Sequence, residues 1–124
     1  MTNKDIDKDV AEALGKDPNC KYAFSVYEQS NGIVNVWFTE NKPEDNKGVP
    51  FNQLGWKIYT PSTNGDQCME LQEQFNISIE YDGIGYSAHP FHTKIYVYDK
   101  KPKLAVCKAV IAMHKGNDND YNTE

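Results

Sequence analysis

Arginine is missing from this chain: all thirteen of its basic residues are lysines, set against eighteen acidic ones for a net charge of −5. Duplex recognition depends on a basic surface and on the planar arginine fork that grips phosphate and guanine. Both are lacking, so double-stranded nucleic acid is not an expected partner. Long apolar runs are lacking too. The stretches around Ile33 to Phe38 and Leu104 to Met113 are broken by polar residues and fall short of the ~20 residues that a membrane span needs. The N-terminal Met1-Thr2-Asn3-Lys4-Asp5 is polar, with no apolar run behind it and so no secretory signal, which gives the cytoplasm as the expected location. Paired cysteines are absent as well. Cys20, Cys68 and Cys107 are widely spaced and odd in number, which speaks for reduced thiols in a core rather than a disulfide framework. Neither GxxxxGK[ST] nor GxGxxG occurs, removing the two commonest nucleotide-enzyme signatures.

What is present fits one domain. The 124 residues, 39% hydrophobic and 12% aromatic, suffice for a single modest core. Ile6, Val10 and Leu14 recur at helical spacing and predict a helix over about residues 4 to 14, with Gly15 as its C′ residue. Lys21 to Gln29 alternates, with Tyr22, Phe24 and Val26 on one side, and Ile33 to Thr39 resumes the extended pattern. Asn31-Gly32 between them predicts a tight type I′ hairpin. Glu40 to Pro50 carries two prolines and no periodicity and reads as a surface loop. Phe51 to Tyr59 reads as a short extended segment.

Ser62-Thr63-Asn64 supplies N-cap oxygens ahead of Cys68, Met69, Leu71, Gln72 and Phe75, which predicts a second helix over about 64 to 75. Asn76 to Tyr81, Ile84 to His89 and Thr93 to Tyr98 predict a three-stranded meander whose first turn is Asp82-Gly83. Leu104 to Met113 predicts a third helix, begun by Pro102 and ended by Gly116. The expectation is an α+β fold over residues 1–116, with an antiparallel sheet of about five strands covered by three helices in an α/β/α sandwich, and a disordered acidic tail over 117–124.

Three segments carry a family resemblance. Ile6 to Gly15, Tyr59-Thr60-Pro61-Ser62-Thr63-Asn64, and Lys101-Pro102-Lys103-Leu104-Ala105-Val106-Cys107-Lys108-Ala109-Val110 resemble the opening helix, the middle-helix entry and the closing helix of the phage ABA sandwich domain family. The resemblance spans about residues 6 to 115. It implies an α/β/α fold, a phage or prophage origin and hence the cytoplasm of an infected host cell; it carries over no active-site residue.

Candidate chemistry is sparse. His89-Pro90-Phe91-His92 brings two imidazoles together, and with Asp82 or Asp99 they suggest a metal-dependent hydrolase as one alternative. A solvent-exposed turn accounts for the same pair. Cys107 sits on an apolar helix face and reads as core rather than nucleophile. Aromatic side chains are more suggestive: Trp37, Trp56, Tyr59, Tyr81, Tyr86, Tyr96 and Tyr98 offer flat amphipathic surfaces of the kind used to stack bases or fill interface pockets. Ser62 and Thr63 lie at a helix N-terminus, where backbone N–H groups suit an anion, although self-capping is the better explanation of the same residues. Lys94 and Lys57 are the lysines best placed to accompany them.

The leading expectation is therefore a non-enzymatic accessory protein that works by binding a host protein or a nucleotide-like small molecule to counter a host defence, without a cofactor. Its expected contact residues are Trp37, Trp56, Tyr59, Ser62, Thr63, Tyr86, His89, His92 and Lys94. A structural homo-oligomer joined through Val36 or Tyr98 is the third expectation.

Overall fold

The computed structural model describes residues 2–115, so the expected acidic tail and the Gly116 stop lie outside the described residues. Helix α1 spans Asn3–Gly15 and opens with a capping box in which Thr2 and Asp5 satisfy each other's backbone N–H. Its buried stripe is Ile6, Asp7, Val10, Ala11, Ala13 and Leu14. Gly15 is the last helical residue and not C′; the cap is Lys16, whose right-handed backbone needs no glycine.

Strands β1 (Ala23–Glu28) and β2 (Val34–Thr39) pair antiparallel, with Phe24 opposite Phe38 and Val26 opposite Val36. The turn between them differs from the predicted two-residue type. Gly32 N–H donates to Gln29 O at 3.0 Å and Gln29 N–H to Ile33 O at 2.8 Å, so the loop has three residues. Only Gly32 there has a positive φ, at 86°, the glycine-bulged hairpin in which one left-handed residue suffices. The 40–50 region folds into a short 3-10 turn, and a second follows at Phe51–Gln53. A two-residue strand β3 (Lys57–Ile58) then pairs with Trp37 and Phe38.

Helix α2 (Gly65–Gln74) starts at Asn64, whose side chain accepts from Gln67 N–H, as its sequence predicts. Strands β4 (Ile77–Tyr81), β5 (Tyr86–Pro90) and β6 (Val97–Asp99) form the expected meander. Helix α3 (Pro102–His114) begins at its proline and buries Ala105, Val106, Cys107 and every residue from Ala109 to Ala112.

The single sheet of about five strands is not what forms. The chain is α+β with two three-stranded antiparallel sheets, β1-β2-β3 and β4-β5-β6. The first packs on α1, the second on α3, and α1 and α3 pack on each other. Each sheet closes through local turns on its own helix, and no strand of one hydrogen-bonds to the other. The outer face of β4, carrying Ser78 and Glu80, is exposed, so the expected cover on both sides is absent from this sheet. One core joins the two halves, running from Ile6, Val10 and Leu14 through Val106 and Val110 to Ala88 and Val97. Val36, expected at a subunit interface, is 4% exposed and belongs to that core. No helix is long and apolar enough to cross a membrane among the described residues.

Candidate binding face

The nine residues singled out from the sequence do not converge. Trp37 lies on the face of β2 opposite the core residues Val34 and Val36, in register with Ile58. Trp56 precedes β3, its Nε1–H donating to Phe51 O at 2.8 Å while the two rings pack 5.0 Å apart. Tyr59 is 3% exposed, wedged against Phe24 and Phe38 at 5.1 and 5.4 Å, and is closed to any ligand.

Ser62 is buried as well. Its N–H donates to Asp7 Oδ1 at 2.9 Å and its hydroxyl to Asn3 O at 3.3 Å, so it ties the α2 entry to α1 instead of facing an anion. Thr63 is exposed beside Thr60 O at 3.4 Å. Asp7, the partner of Ser62, is itself only 2% exposed. Burial raises its carboxyl above the usual carboxylate range, and the Ser62 N–H and hydroxyl oppose that shift only in part.

The remaining residues gather on and beside the β4-β5-β6 sheet. His89 is on β5, its Nδ1 2.8 Å from Ile95 O. A carbonyl only accepts, so Nδ1 donates in this contact. The ring lies flat on Tyr96, centroids 4.1 Å apart and planes 4° from parallel. His92 sits in the following turn with a φ of 62°, its ring 3.9 Å from that of Phe91. Thr93 Oγ1 closes the turn by donating to Pro90 O at 2.7 Å and accepting from Ile95 N–H. Lys94 is exposed next to it. Tyr86 is half-buried and packs 4.8 Å from Tyr81 at the far end of the sheet.

A groove of about 690 Å³ opens at the near end, between Met69, Gln72 and Glu73 of α2 and Asn76, Ile77, Ser78, His89 and Phe91. Its rim is apolar and open to solvent: Met69 is 58% exposed, Phe91 61%, and neighbouring Tyr96 56%. Tyr96 is among the aromatic side chains that the sequence offers for binding, whereas Met69 and Phe91 are not. Met69 counted toward the buried stripe of α2, but that stripe is Cys68, Leu71 and Phe75, and Met69 lies about 100° round the helix from Cys68. Phe91 sits between Pro90 and His92 in a polar turn, and an aromatic residue there with no strand alternation was the available signal.

Other chemistry is poorly served. The three cysteines are free and buried, and burial pushes the Cys68 and Cys107 thiols up. Among the described residues no three His, Cys, Asp or Glu side chains are placed to hold a metal ion, so His89 and His92 lack the further ligands that a hydrolytic centre needs. Known protein families, curated proteins and solved structures yield no match to this chain.

Proposed function

We propose that the protein is a small phage or prophage accessory protein that acts by binding, and that it binds through the groove and aromatic rim on the β4-β5-β6 sheet. The observation that carries this reading is the concentration of exposed Met69, Phe91 and Tyr96 around one groove, with His89 held rigidly among them. Exposed apolar side chains gathered on one concave surface are the usual mark of a contact site. Of the two partners expected, a host protein fits better than a nucleotide-like molecule. The groove's charged wall residue is Glu73, and an anionic ligand would need lysines there. Occupying a host protein is also how such a chain would counter a host defence.

Native mass spectrometry after incubation with a panel of nucleotides, and separately with a bacterial lysate, tests this. The expected result is a retained protein partner that disappears with the double substitution Phe91→Ala and Tyr96→Ala. Retention of a nucleotide in place of a protein, or retention indifferent to those two substitutions, overturns the reading.

A further inference from the structure

The β1-β2-β3 sheet has one face that no helix covers. Its other face, with Val34 and Val36, lies in the core beside α1. Side chains alternate along a strand, and residues opposite each other in register share a face. Ser25 and Tyr27 of β1, Asn35 and Trp37 of β2, and Ile58 of β3 therefore turn outward together. Ile33, whose carbonyl accepts from Gln29 N–H just before β2, continues the same row. Tyr27, Ile33 and Ile58 are 59%, 46% and 44% exposed. None of these six residues is charged, although 25% of the chain is. Among the described residues, the charged side chain that hydrogen-bonds to this row is Lys4, whose Nζ donates to Asn35 Oδ1 at 3.0 Å.

At one end the face carries a step. Thr39 also turns outward, but Leu54 closes over it: the Thr39 hydroxyl and the Asn41 amide both donate to Leu54 O, and Thr39 and Leu54 are buried. The loop that holds Leu54 presents Phe51, which is 61% exposed and packs on Trp56. The hairpin end, with Tyr27 and Ile33, stays open.

Exposed β-branched and aromatic residues gathered on one sheet face are what sheet-on-sheet packing buries. Charge decides the occupant. Two copies at −5 repel each other, so they meet at least cost through a surface that sets no carboxylates opposite one another. This row is such a surface, whereas the outward face of the second sheet presents Glu80. The step adds shape. A two-fold axis across the strands sets the Thr39 end of one copy over the hairpin end of the other, so that Phe51 of each copy meets Tyr27 and Ile33 of the other.

We infer that two copies of this chain pair through the outward faces of their β1-β2-β3 sheets in a two-fold, sheet-on-sheet dimer. The groove between α2 and β4 lies on the other sheet, so both copies keep it open.

Sedimentation equilibrium of the full chain over a wide range of concentration tests this. The average mass should rise from that of one chain toward that of two. Added salt should leave the dimer intact or strengthen it, because it screens the repulsion between two acidic copies and the seam holds no ion pair for it to weaken. Tyr27→Lys with Ile58→Lys, both at exposed positions, should hold the mass at one chain at every concentration while the urea unfolding transition is unchanged. Phe91→Ala with Tyr96→Ala, on the other sheet, should dimerise as the wild type does. A wild type that stays monomeric throughout overturns the inference. So does a dimer that salt weakens, that survives the two lysine substitutions, or that is lost with Phe91→Ala and Tyr96→Ala. If a bacterial lysate protects the amides around Tyr27 and Ile58 in a protein that is monomeric by itself, another protein covers this face and the dimer fails.

Discussion

Asp7 shows how a single side chain organises this molecule. It is an acid inside the apolar stripe of α1, and its carboxylate receives the N–H of Ser62 across 55 residues of sequence. Removing it with Asp7→Ala leaves that buried N–H without an acceptor and should lower stability by about 1–3 kcal/mol in urea unfolding. Its raised pKa has a definite sign. Folding lifts the carboxyl above its ordinary value of 3.8, so across that window the folded state holds the proton more tightly than the unfolded state. Stability contributed by Asp7 therefore falls as pH rises through the window. Asp7→Asn keeps an acceptor and removes the titration. The stability of the wild type relative to this variant should increase as pH is lowered from neutrality toward about 4, and a constant difference would show that Asp7 does not titrate abnormally.

The thiols follow the same logic of burial. All three are enclosed, and two have raised pKa values, so Ellman's reagent should label the native protein slowly and release three equivalents once denaturant is added. Rapid labelling of one thiol under native conditions would contradict the burial of that residue.

At the scale of elements, local chemistry was legible wherever the chain's own neighbours decide the outcome. Asn64 caps α2, Pro102 opens α3, and the Asp82-Gly83 turn closes β4 on β5, all as residue type and spacing predict. Asn64→Ala should cost about 1 kcal/mol by leaving Gln67 N–H uncapped, measured by the same unfolding assay. Where several local solutions compete, residue type and spacing do not select one. Asn31-Gly32 fits a two-residue turn, but the chain takes three residues and needs a left-handed backbone only at Gly32.

Helix α3 illustrates what pattern alone does not settle. Its Ala105, Ala109 and Ala112 are almost fully enclosed because α1, α2 and the second sheet all close on the same helix. A sequence with apolar residues nearly all round says that a helix is buried but not against what. Small residues at those positions allow the close approach, and Ala109→Leu should destabilise by about 1–3 kcal/mol or more. Tolerance of the added volume would mean that the packing around Ala109 is loose.

For the whole molecule, the split into two sheets was the largest departure from expectation. Six strands in two local meanders satisfy the same alternation as one continuous sheet, and only tertiary packing distinguishes them: α1 takes β1 and β2, and α3 takes β4, β5 and β6. That division also scattered the candidate residues. Trp37 and Trp56 went with the first sheet, Tyr59 and Ser62 into the interior, and His89, His92 and Lys94 to the second. The rim of Met69, Phe91 and Tyr96 exists because a turn, a helix flank and an exposed strand residue meet in space, which no spacing in the sequence records.

The binding face should be separable from the fold. Phe91 and Tyr96 are more than half exposed, so Phe91→Ala and Tyr96→Ala should each change unfolding free energy by no more than about 0.5 kcal/mol while weakening partner retention. The most direct test is hydrogen exchange, resolved by peptide mass spectrometry, of the protein before and after exposure to a bacterial lysate. New protection confined to residues 67–81 and 86–98 is the predicted result. Protection over Trp37 and Ile58 on the other sheet, or no change anywhere, would contradict it.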